Sequence, residues 1–407
     1  MSPRLAHLDE KPGNSSVAVK LLPLIGIVFV AFLIIGLALP VLPIYVHDQL
    51  GLGTIAVGLV AGSQFAASLL SRFWAGNYAD RRGSKPTVLL GLAAAAVAGC
   101  LYLVSLLLVS SPVLSASILA IGRGVLGGAE SFIITGALSW GFGTVGQQNA
   151  GKVIAWAGTA VFAAYAAGAP VGTALFSEYG FVSIAVVTTV APLLAIGVVV
   201  PIRPVATIPR QQGSLRAVLS AVWLPGIGAA LSSVGFGAVI TFAVLLFAER
   251  GWESGWLAVS CFAGSLMLAR ILFGHLADRI GGANLALYSL PVEALGQMLM
   301  WLAPYPAVAL TGAAVTGFGY SLVYPGFGVE VVRRAPIENR ALAMGAYTAC
   351  LDLAMGVSSP LLGAIAAQGG VGMVFAVSGV LVLLASVAAM KLKPTRSGIT
   401  HEKRPSC

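Results

Sequence analysis

The sequence predicts an all-α membrane fold with twelve transmembrane helices in two pseudo-symmetric halves of six. Hydrophobic residues make up 58% of the 407-residue chain and charged residues only 9%, whereas roughly a quarter of an ordinary soluble domain is charged. So few charges cannot cover a soluble fold of this length. The pattern R-x3-G-x2-A-D-R-x-G also occurs twice, at residues 72–83 and 270–281. A repeat near half the chain length indicates a duplicated bundle.

Twelve apolar runs reach the roughly 20 residues that a helix needs to cross the hydrocarbon core of a bilayer. Their predicted limits are 20–47, 55–79, 86–109, 113–140, 150–177, 181–201, 219–248, 255–277, 285–303, 305–330, 342–367 and 370–391. The longest polar interior stretch separates the sixth run from the seventh. We therefore predict four parts. They are an N-terminal half at 1–201, a cytoplasmic linker at 202–218, a C-terminal half at 219–391 and a cytoplasmic tail at 392–407.

Two further landmarks recur in the halves and support their like orientation. Asn149 and Pro170 flank the fifth run, and Asn339 and Pro360 flank the eleventh. Two six-helix halves repeated in the same orientation are related by an axis along the membrane normal. We expect pairs of glycines four residues apart to bring helices close together. These pairs are Gly58 and Gly62, Gly124 and Gly128, and Gly168 and Gly172.

The net charge of +9 could indicate nucleic-acid binding, but the placement of the basic residues predicts membrane topology. They lie in both tails and in one alternate set of turns, and only Arg250 belongs to the other set. The set includes Arg4, Lys11, Lys20, Arg81, Arg82, Lys85, Lys152, Arg203, Arg279, Arg333, Lys391 and Arg404. By the positive-inside rule, both termini are cytoplasmic. We expect a monomeric multi-pass protein of the cell membrane, the inner membrane of a bacterium, in contact with lipid and not nucleic acid.

Three charged residues lie near the middle of predicted spans, where each needs a partner or a function. Arg123 and Glu130 are two helical turns apart, about 10 Å along one face of span four, and Thr135 follows near that face. Arg123 close to Glu130 would favour its ionised form, so the pair predicts a proton-binding carboxylate with two states. A structural tie between helices is the alternative. Asp352 in span eleven is a second candidate for coupling or substrate recognition, or a hydrogen-bonded carboxyl facing small residues.

Glu293 and Asp48 are weaker candidates. Because outer helices of such a bundle face lipid, we expect Glu293 to turn inward to a polar neighbour, and Asp48 to lie at a solvated rim. Aromatic residues on the inner spans could line a cavity and stack on an organic substrate, although for any one of them helix packing is the stronger explanation. The candidates are Trp156, Tyr165, Tyr320, Tyr324 and Tyr347.

The duplicated turn predicts a cytoplasmic gate. The alternative is that its charged residues only set the orientation of the protein in the membrane. Asp80 and Asp278 lie at helix ends, where a carboxylate can accept backbone N–H groups at the positive end of a neighbouring helix. Arg81 and Arg279 can bind carbonyls or carboxylates of the other half when the cytoplasmic side is shut. Gly83 and Gly281 permit the tight turns, and Gly76 and Gly274 complete the pattern.

Motifs for other functions do not fit their surroundings. Residues 122–127 satisfy G-x-G-x-x-G but lie within an apolar span and not after a strand, so they do not form a dinucleotide loop. Residues 146–152 satisfy G-x4-G-K, but no Ser or Thr follows and no strand precedes them. We expect no enzyme activity, no cofactor and no metal, and no ATP-driven pumping.

The motif residues resemble those of the major facilitator superfamily over nearly the whole chain. Residues 76–85 resemble its loop signature G-x3-D-R-x-G-x-K between spans two and three, and residues 274–281 echo it. Residues 36–43 resemble the first-span motif of the twelve-span drug:proton antiporters, and residues 123–128 resemble the fourth-span R-x3-G-G motif. Residues 168–172 are similar to the fifth-span antiporter motif in a degenerate form. The chain looks most like the arabinose-efflux-permease-like exporters.

This resemblance implies the major facilitator fold, a link between Arg123 and proton coupling, and a gate at the repeated turn. The sequence therefore predicts a secondary transporter that exports a small organic molecule, drug-like, sugar or metabolite, in exchange for protons. A proton-coupled importer of a sugar or organic acid is the first alternative, and a channel or a membrane sensor is the second. Because Arg123 is the basic residue of the central spans, neutral or cationic cargo is favoured over anionic cargo.

Overall fold

The computed structural model describes residues 14–146, 149–205, 215–336 and 339–392. Within these ranges, nothing is described of the side chains of residues 14–19, 150, 215, 278 and 341. The described residues are helical, without strands, as the sequence predicts. Arg4, Lys11 and Arg404, the centre of the predicted linker and the predicted tail from residue 393 onward lie outside the described residues.

Seven helices form the N-terminal part: α1 Asn14–Ala38, α2 Val41–Ile44, α3 Thr54–Arg82, α4 Ser84–Leu106, α5 Pro112–Val145, α6 Ala150–Tyr179 and α7 Phe181–Val199. Seven more follow: α8 Leu215–Glu249, α9 Trp256–Phe273, α10 Leu276–Ile280, α11 Gly282–Leu302, α12 Pro306–Arg334, α13 Arg340–Gly369 and α14 Val371–Leu392. Among the described residues, 12 spans are long and apolar enough to cross a membrane. The predicted number and order of spans are therefore confirmed.

The helix ends differ from the predicted limits where the backbone has a local reason to break or continue. The first span is interrupted at Leu39 and Pro40, and a π-helical turn at Tyr45–Gln49 ends it. Proline removes a backbone donor and clashes with the preceding turn, so this break is expected. α5 and α12 continue several residues beyond the predicted ends of their spans, because the residues after each apolar run remain helical. The eighth span is broken at Gly274 and His275, and α10 follows.

The chain forms two compact units that meet in sequence between Arg210 and Gln211. This boundary lies within the segment predicted to be the linker. Each unit contains six of the twelve spans. Large apolar side chains are exposed on the units, among them Leu70 at 65% and Leu194 at 68%. Such side chains suit a hydrocarbon surrounding, because lipid solvates them as well as a protein core does.

In the N-terminal unit, glycine brings α6 against α1. A Cβ at Gly168 would lie 2.7 Å from the carbonyl carbon of Gly36, and one at Gly172 would lie 2.1 Å from the Leu37 oxygen. Both approaches are closer than any Cβ contact allows, so these positions require glycine. The predicted role of this glycine pair is confirmed.

The second predicted pair is wrong in its position. A Cβ at Gly124 would have its nearest atom 3.7 Å away, and one at Gly128 would have it 3.9 Å away, which are ordinary contacts. Gly127 makes the close approach, because a Cβ there would lie 2.0 Å from the Gln64 carbonyl oxygen of α3. The G-x-x-x-G spacing identified the right helix but not the face that touches α3.

The C-terminal unit has its core around α8, α11, α12, α13 and α14. Fully buried members include Phe327 and Tyr347. α11 and α12 touch through glycines, since a Cβ at Gly312 would lie 2.7 Å from the Gly296 oxygen. A Cβ at Gly319 would lie 2.5 Å from the Glu293 backbone nitrogen. The backbones of α11 and α12 are therefore in direct contact near the middle of α11.

Candidate functional site

Glu130 lies on α5 where that helix touches α3. The absence of a Cβ at Gly127 lets the two backbones meet at Gln64, whose side chain is fully buried. Gln64 Nε2 donates a hydrogen bond of 2.9 Å to Glu130 Oε2. Glu130 is half-buried. The structure therefore holds a carboxyl group in the middle of a span with one oxygen fixed by a neighbouring helix.

A pair of serines beside Glu130 fixes the register of α3 and α5. The Ser68 and Ser131 hydroxyls are 3.0 Å apart, and Ser131 Oγ also donates to the Ser68 carbonyl at 2.9 Å. Thr135, one turn further along α5, is half-buried and makes no hydrogen bond among the described residues. Thr135 therefore keeps accessible surface that a ligand could contact.

Arg123 is buried, with 2% of its surface exposed. Its guanidinium lies beside the Tyr102 hydroxyl of α4, close enough for an electrostatic interaction. Arg123 Nε and Nη1 have no hydrogen-bond partner of ordinary geometry within the described part of the chain, and neither has Tyr102 Oη. The Tyr102 hydroxyl is thus a weakly aligned partner for this buried guanidinium, and a donor left without a good hydrogen bond costs about 1–3 kcal/mol. A site that tolerates this cost is typical of a functional group.

The aromatic candidates of the N-terminal unit differ in what they contact. Tyr165 is buried and packs against Phe32 and Phe162, with ring centroids 6.0 and 6.3 Å away. Helix packing accounts for its position. Trp156 is 44% exposed and borders an apolar depression that is also lined by Val28 of α1 and Leu138 of α5. Of the two, Trp156 has the surface that a ligand could contact.

The aromatic candidates of the C-terminal unit meet on α12 and α13. The Tyr324 and Tyr347 rings are 5.2 Å apart, and the Tyr347 hydroxyl donates to the Tyr324 carbonyl at 2.8 Å. The Tyr324 hydroxyl lies 3.4 Å from Thr348 Oγ1. Asp352 is one turn after Thr348 on α13 and is buried, with 5% exposed. Tyr324 of α12 and Tyr347 and Asp352 of α13 thus lie on two neighbouring helices.

Arg270, near the end of α9, was not among the predicted site residues. It is half-buried and lies within electrostatic reach of Tyr320 and Tyr324. In the sequence, Arg270 stands out only as the first residue of the repeated motif. Its side chain adds a positive charge to the tyrosine cluster of the C-terminal unit.

The two repeated turns use glycine as predicted. Gly83 follows α3 with φ +97°, and Gly281 precedes α11 with φ +82°. These values lie in the region that side chains rarely adopt. Asp80 and Arg81 occupy the last turn of α3 and are exposed, as is Arg279. Gly76 is buried, whereas Gly274 interrupts the eighth span; the Asp278 side chain is outside the described residues.

Lys85 has a contact that the sequence did not reveal. Its Nζ donates to the carbonyls of Val200 and Ile202, at 2.6 and 2.7 Å, just beyond the end of α7. A cation at a helix C-terminus compensates the unpaired carbonyls there. The contact at the second repeated turn is different. There, Glu330 of α12 accepts a hydrogen bond of 3.2 Å from the Ala283 N–H at the start of α11. Glu330 also lies 3.9 Å from Arg333 and 3.8 Å from Arg334.

Ionisable groups buried within apolar spans are retained in membrane proteins where a substrate or an ion passes. Both units contain such groups: Arg123 and Glu130 in one, Asp352 and Glu293 in the other. With 12 candidate spans and internal duplication, these features define a polytopic secondary transporter.

Comparison with known proteins gives the family. A family model described as Major Facilitator Superfamily matches residues 24–256 and 226–406. An uncharacterised MFS-type transporter of Salmonella typhimurium is 40% identical over 369 residues, covering 91% of this chain and 95% of that one. The uncharacterised MFS-type transporter YhhS of Escherichia coli K12 is 39% identical and covers 90% of each chain. The chain belongs to the Major Facilitator Superfamily, so it is a transporter and not an enzyme.

Solved structures agree in fold. A D-xylose–proton symporter has a TM-score of 0.74 at 14% identity, covering 92% of this chain and 98% of that one. The nucleoside transporter NupG gives the same TM-score of 0.74 at 14% identity, with coverage of 92% and 99%. The human organic anion transporter MFSD10 has a TM-score of 0.63 at 15% identity, covering 91% and 99%. Secondary transport by alternating access follows from this family and fold.

Proposed function

We propose that the protein exports a small organic molecule in exchange for protons, with Glu130 as the proton-binding carboxyl. The contact between Glu130 and Gln64 supports this assignment most directly. A carboxyl group accepts the Gln64 bond in both protonation states, because a proton on Oε1 leaves Oε2 an acceptor. Glu130 therefore keeps its position while it binds and releases a proton. Its half-buried side chain suits exchange with water.

Arg123 is the proposed modulator of this proton. It lies two turns from Glu130 on the same helix, about 10 Å along the axis, and its Nε and Nη1 have no hydrogen-bond partner in the described residues. A rearrangement of the helices that brings an anionic group to these donors would be stabilised by the charge of Arg123. The same charge favours the ionised form of Glu130 when the two approach. Glu130 then has one proton affinity when Arg123 is close and another when the two residues are apart.

Asp352 is the proposed second polar site, in the C-terminal unit. Tyr320, Tyr324 and Tyr347 on one unit and Thr135, Trp156 and Tyr165 on the other are the proposed substrate contacts. Among these, Thr135, Trp156 and Tyr324 have accessible surface, so they are the first to test. Tyr165 and Tyr347 are packed against other aromatic rings, which favours a supporting role for both.

The charge of the cargo is less restricted than the sequence indicated. The expectation of neutral or cationic cargo depended on Arg123 being the basic side chain of the central spans. Because Arg270 lies near Tyr320 and Tyr324, an anionic group would also find a cation in the C-terminal unit. The screen described below therefore includes neutral, cationic and anionic compounds.

Export is favoured by the two segments that resemble antiporter motifs. The first begins at the end of α1 and extends into α2, the second lies on α6, and the two form one close contact through Gly36, Gly168 and Gly172. This contact supports the drug:proton antiporter branch and the likeness to arabinose-efflux permeases. Import of a sugar or organic acid with protons is the second candidate, favoured by the fold it shares with a D-xylose–proton symporter. Direction of transport separates the two.

Replacing Glu130 by glutamine should abolish proton-driven transport. Glutamine keeps an acceptor for Gln64 but cannot bind and release a proton. A thermal-shift screen of purified protein first identifies a compound that binds. Everted membrane vesicles, with their cytoplasmic face outward, then take up that compound when a proton gradient is imposed. We expect uptake by Glu130→Gln vesicles to fall by more than about tenfold.

The exposed Glu178 in the last turn of α6 offers a matched control, and Glu178→Gln should transport like the unaltered protein. Uptake by Glu130→Gln with an unchanged pH dependence would remove Glu130 as the proton site. Loss of the compound from everted vesicles, instead of uptake, would favour the importer.

We further propose that the repeated turns form a cytoplasmic gate and that both termini are cytoplasmic. Asp80, Arg81 and Arg279 are exposed and make no hydrogen bond or ion pair within the described residues, so they are available to partners in another state of the transport cycle. Gly76, Gly83, Gly274, Gly281 and Asp278 belong to the same repeat. The protein is proposed to act as a monomer in the inner membrane of a bacterium.

Replacing Asp80 by asparagine should weaken the shut state of this gate. Single cysteines placed on the cytoplasmic ends of α5 and α12 should then react several-fold faster with a membrane-impermeant maleimide. Glu253→Gln, an exposed substitution in the α8–α9 loop, is the control and should leave the labelling unchanged. Equal labelling in Asp80→Asn and the unaltered protein would contradict the gate and leave the role of Glu130 untouched.

A further inference from the structure

Glu293 has no role in the proposed function, and it lies in a buried polar cluster. We define the Glu293 cluster as Ser232, Ser233, Glu293, Gln297 and Tyr320. Glu293 lies near the middle of α11, and Glu293 and Gln297 are fully buried. Ser232 Oγ of α8 donates to Glu293 Oε2 at 2.6 Å. The expectation that Glu293 turns inward to a polar neighbour is confirmed.

The cluster contains more hydrogen-bond acceptors than donors when Glu293 is ionised. Glu293 Oε1 and Gln297 Oε1 have no hydrogen-bond partner in the described part of the chain. The Gln297 Nε2 donor is already used, because it binds the Gly235 carbonyl at 3.0 Å. A proton on Glu293 would supply the missing donor and remove the charge at the same time.

The charged groups around Glu293 do not neutralise it. On α8 the charged residues are Arg216 and Glu249, at its two ends, and on α14 the charged residue is Lys391, in the last turn. The titratable group that faces Glu293 is Tyr320 of α12, whose hydroxyl lies 3.3 Å from Ser233 Oγ. Arg270 of α9 acts on Tyr320 and Tyr324. No ion pair to Glu293 is present among the described residues.

Glu330 shows what a buried carboxylate with partners looks like in the same unit. It is 3% exposed, lies within 4 Å of two arginines, and accepts a backbone N–H. Glu293 has one hydroxyl donor and no such cation. An ionised carboxylate in that position would cost several kcal/mol in a low-dielectric interior. Glu330 is thus surrounded by groups that stabilise a negative charge, and Glu293 is not.

Close contacts at two glycines restrict the position of Glu293. A Cβ at Gly235 would lie 2.9 Å from Glu293 Oε1 and 3.2 Å from Gln297 Nε2. A Cβ at Gly319 would meet the backbone of Glu293 itself. The surrounding helices therefore enclose Glu293 closely on the α8 and α12 sides.

We propose that Glu293 is a second proton-binding site, in the C-terminal unit, which holds an exchangeable proton on its carboxyl group within the Glu293 cluster. The proton comes from water and returns to water, and no other bond changes. The site extends the proposed proton-coupled transport to this unit, yet it does not depend on Glu130. Ser232 is the positioning residue for the carboxyl, and Tyr320 contacts the cluster through Ser233.

Infrared spectroscopy of the purified full-length protein in lipid nanodiscs tests this directly, without a substrate. At neutral pH we expect a C=O stretching band of a protonated carboxyl that disappears in Glu293→Gln. The band should shift on transfer to D₂O, because the proton exchanges. Glu330→Gln is the matched control and should keep the band, since Glu330 is paired with arginines.

If Glu293→Gln does not fold, Ser232→Ala provides the second variant, because loss of the hydroxyl donor should shift the frequency of the same band. Identical bands in the unaltered protein and Glu293→Gln, or in Ser232→Ala when only that variant folds, overturn the proposal. A band that does not shift in D₂O overturns the exchange. A failure of Glu130→Gln to change transport leaves these spectra unaffected, so the two proposals are separable.

Discussion

Replacing Gly127 by alanine should prevent the N-terminal unit from packing. The new Cβ would stand 2.0 Å from the Gln64 carbonyl oxygen, and 2.8 Å from its carbonyl carbon. These are backbone atoms, so no side chain can rotate away, and α5 would have to separate from α3. Overpacking of a core costs about 1–3 kcal/mol and occasionally more, and we expect at least about 3 kcal/mol here. Folded, monodisperse protein recovered after detergent extraction should fall sharply.

Gly124→Ala is the control for this prediction. Gly124 lies on the same helix, one turn away, and its Cβ would meet nothing closer than the Ala67 Cβ at 3.7 Å. We expect its yield and melting temperature to match those of the unaltered protein. Equal behaviour of the two variants would mean that α3 and α5 do not meet at Gln64, and the geometry of the Glu130 site would have to be revised.

The spans could be predicted from the sequence because their physical signal is local. A run of about 20 apolar residues has one stable structure in a bilayer, a helix with all its backbone groups paired. The glycines at residues 83 and 281 were equally readable, because a short turn between two long helices needs a positive φ. The break at Gly274 was not readable, since the matching Gly76 lies inside an unbroken helix.

The contacts between helices could not be predicted, because they depend on which face of each helix meets which neighbour. Glu130 was recognisable as a charge within an apolar run, but its partner Gln64 is on another helix. Gln64 itself carries a signal in the sequence, because it is an amide side chain within an apolar span. Glu293 was judged weak because outer helices face lipid, yet the close contact at Gly319 turns it fully inward.

Replacing Arg123 by methionine should change stability and transport in opposite directions. The Arg123 side chain is buried with Nε and Nη1 unpaired among the described residues. Methionine fills similar volume without a charge, and removal of a poorly paired buried ion is often stabilising. We expect the free energy of unfolding to rise by about 1–3 kcal/mol, read as a higher melting temperature in detergent. Proton-driven uptake by everted vesicles should fall by more than about tenfold, because Glu130 loses the charge that tunes it.

Arg203→Met, at an exposed position after α7, controls for the loss of a positive charge and should change neither quantity. Arg123→Lys keeps the charge and should retain part of the transport that methionine loses. The sign of the stability change decides between the two interpretations of Arg123. A structural tie between helices would make Arg123→Met melt at a lower temperature, because breaking a paired buried charge destabilises by about 3–5 kcal/mol. A higher melting temperature without transport is expected only of a residue kept for function at a cost in stability.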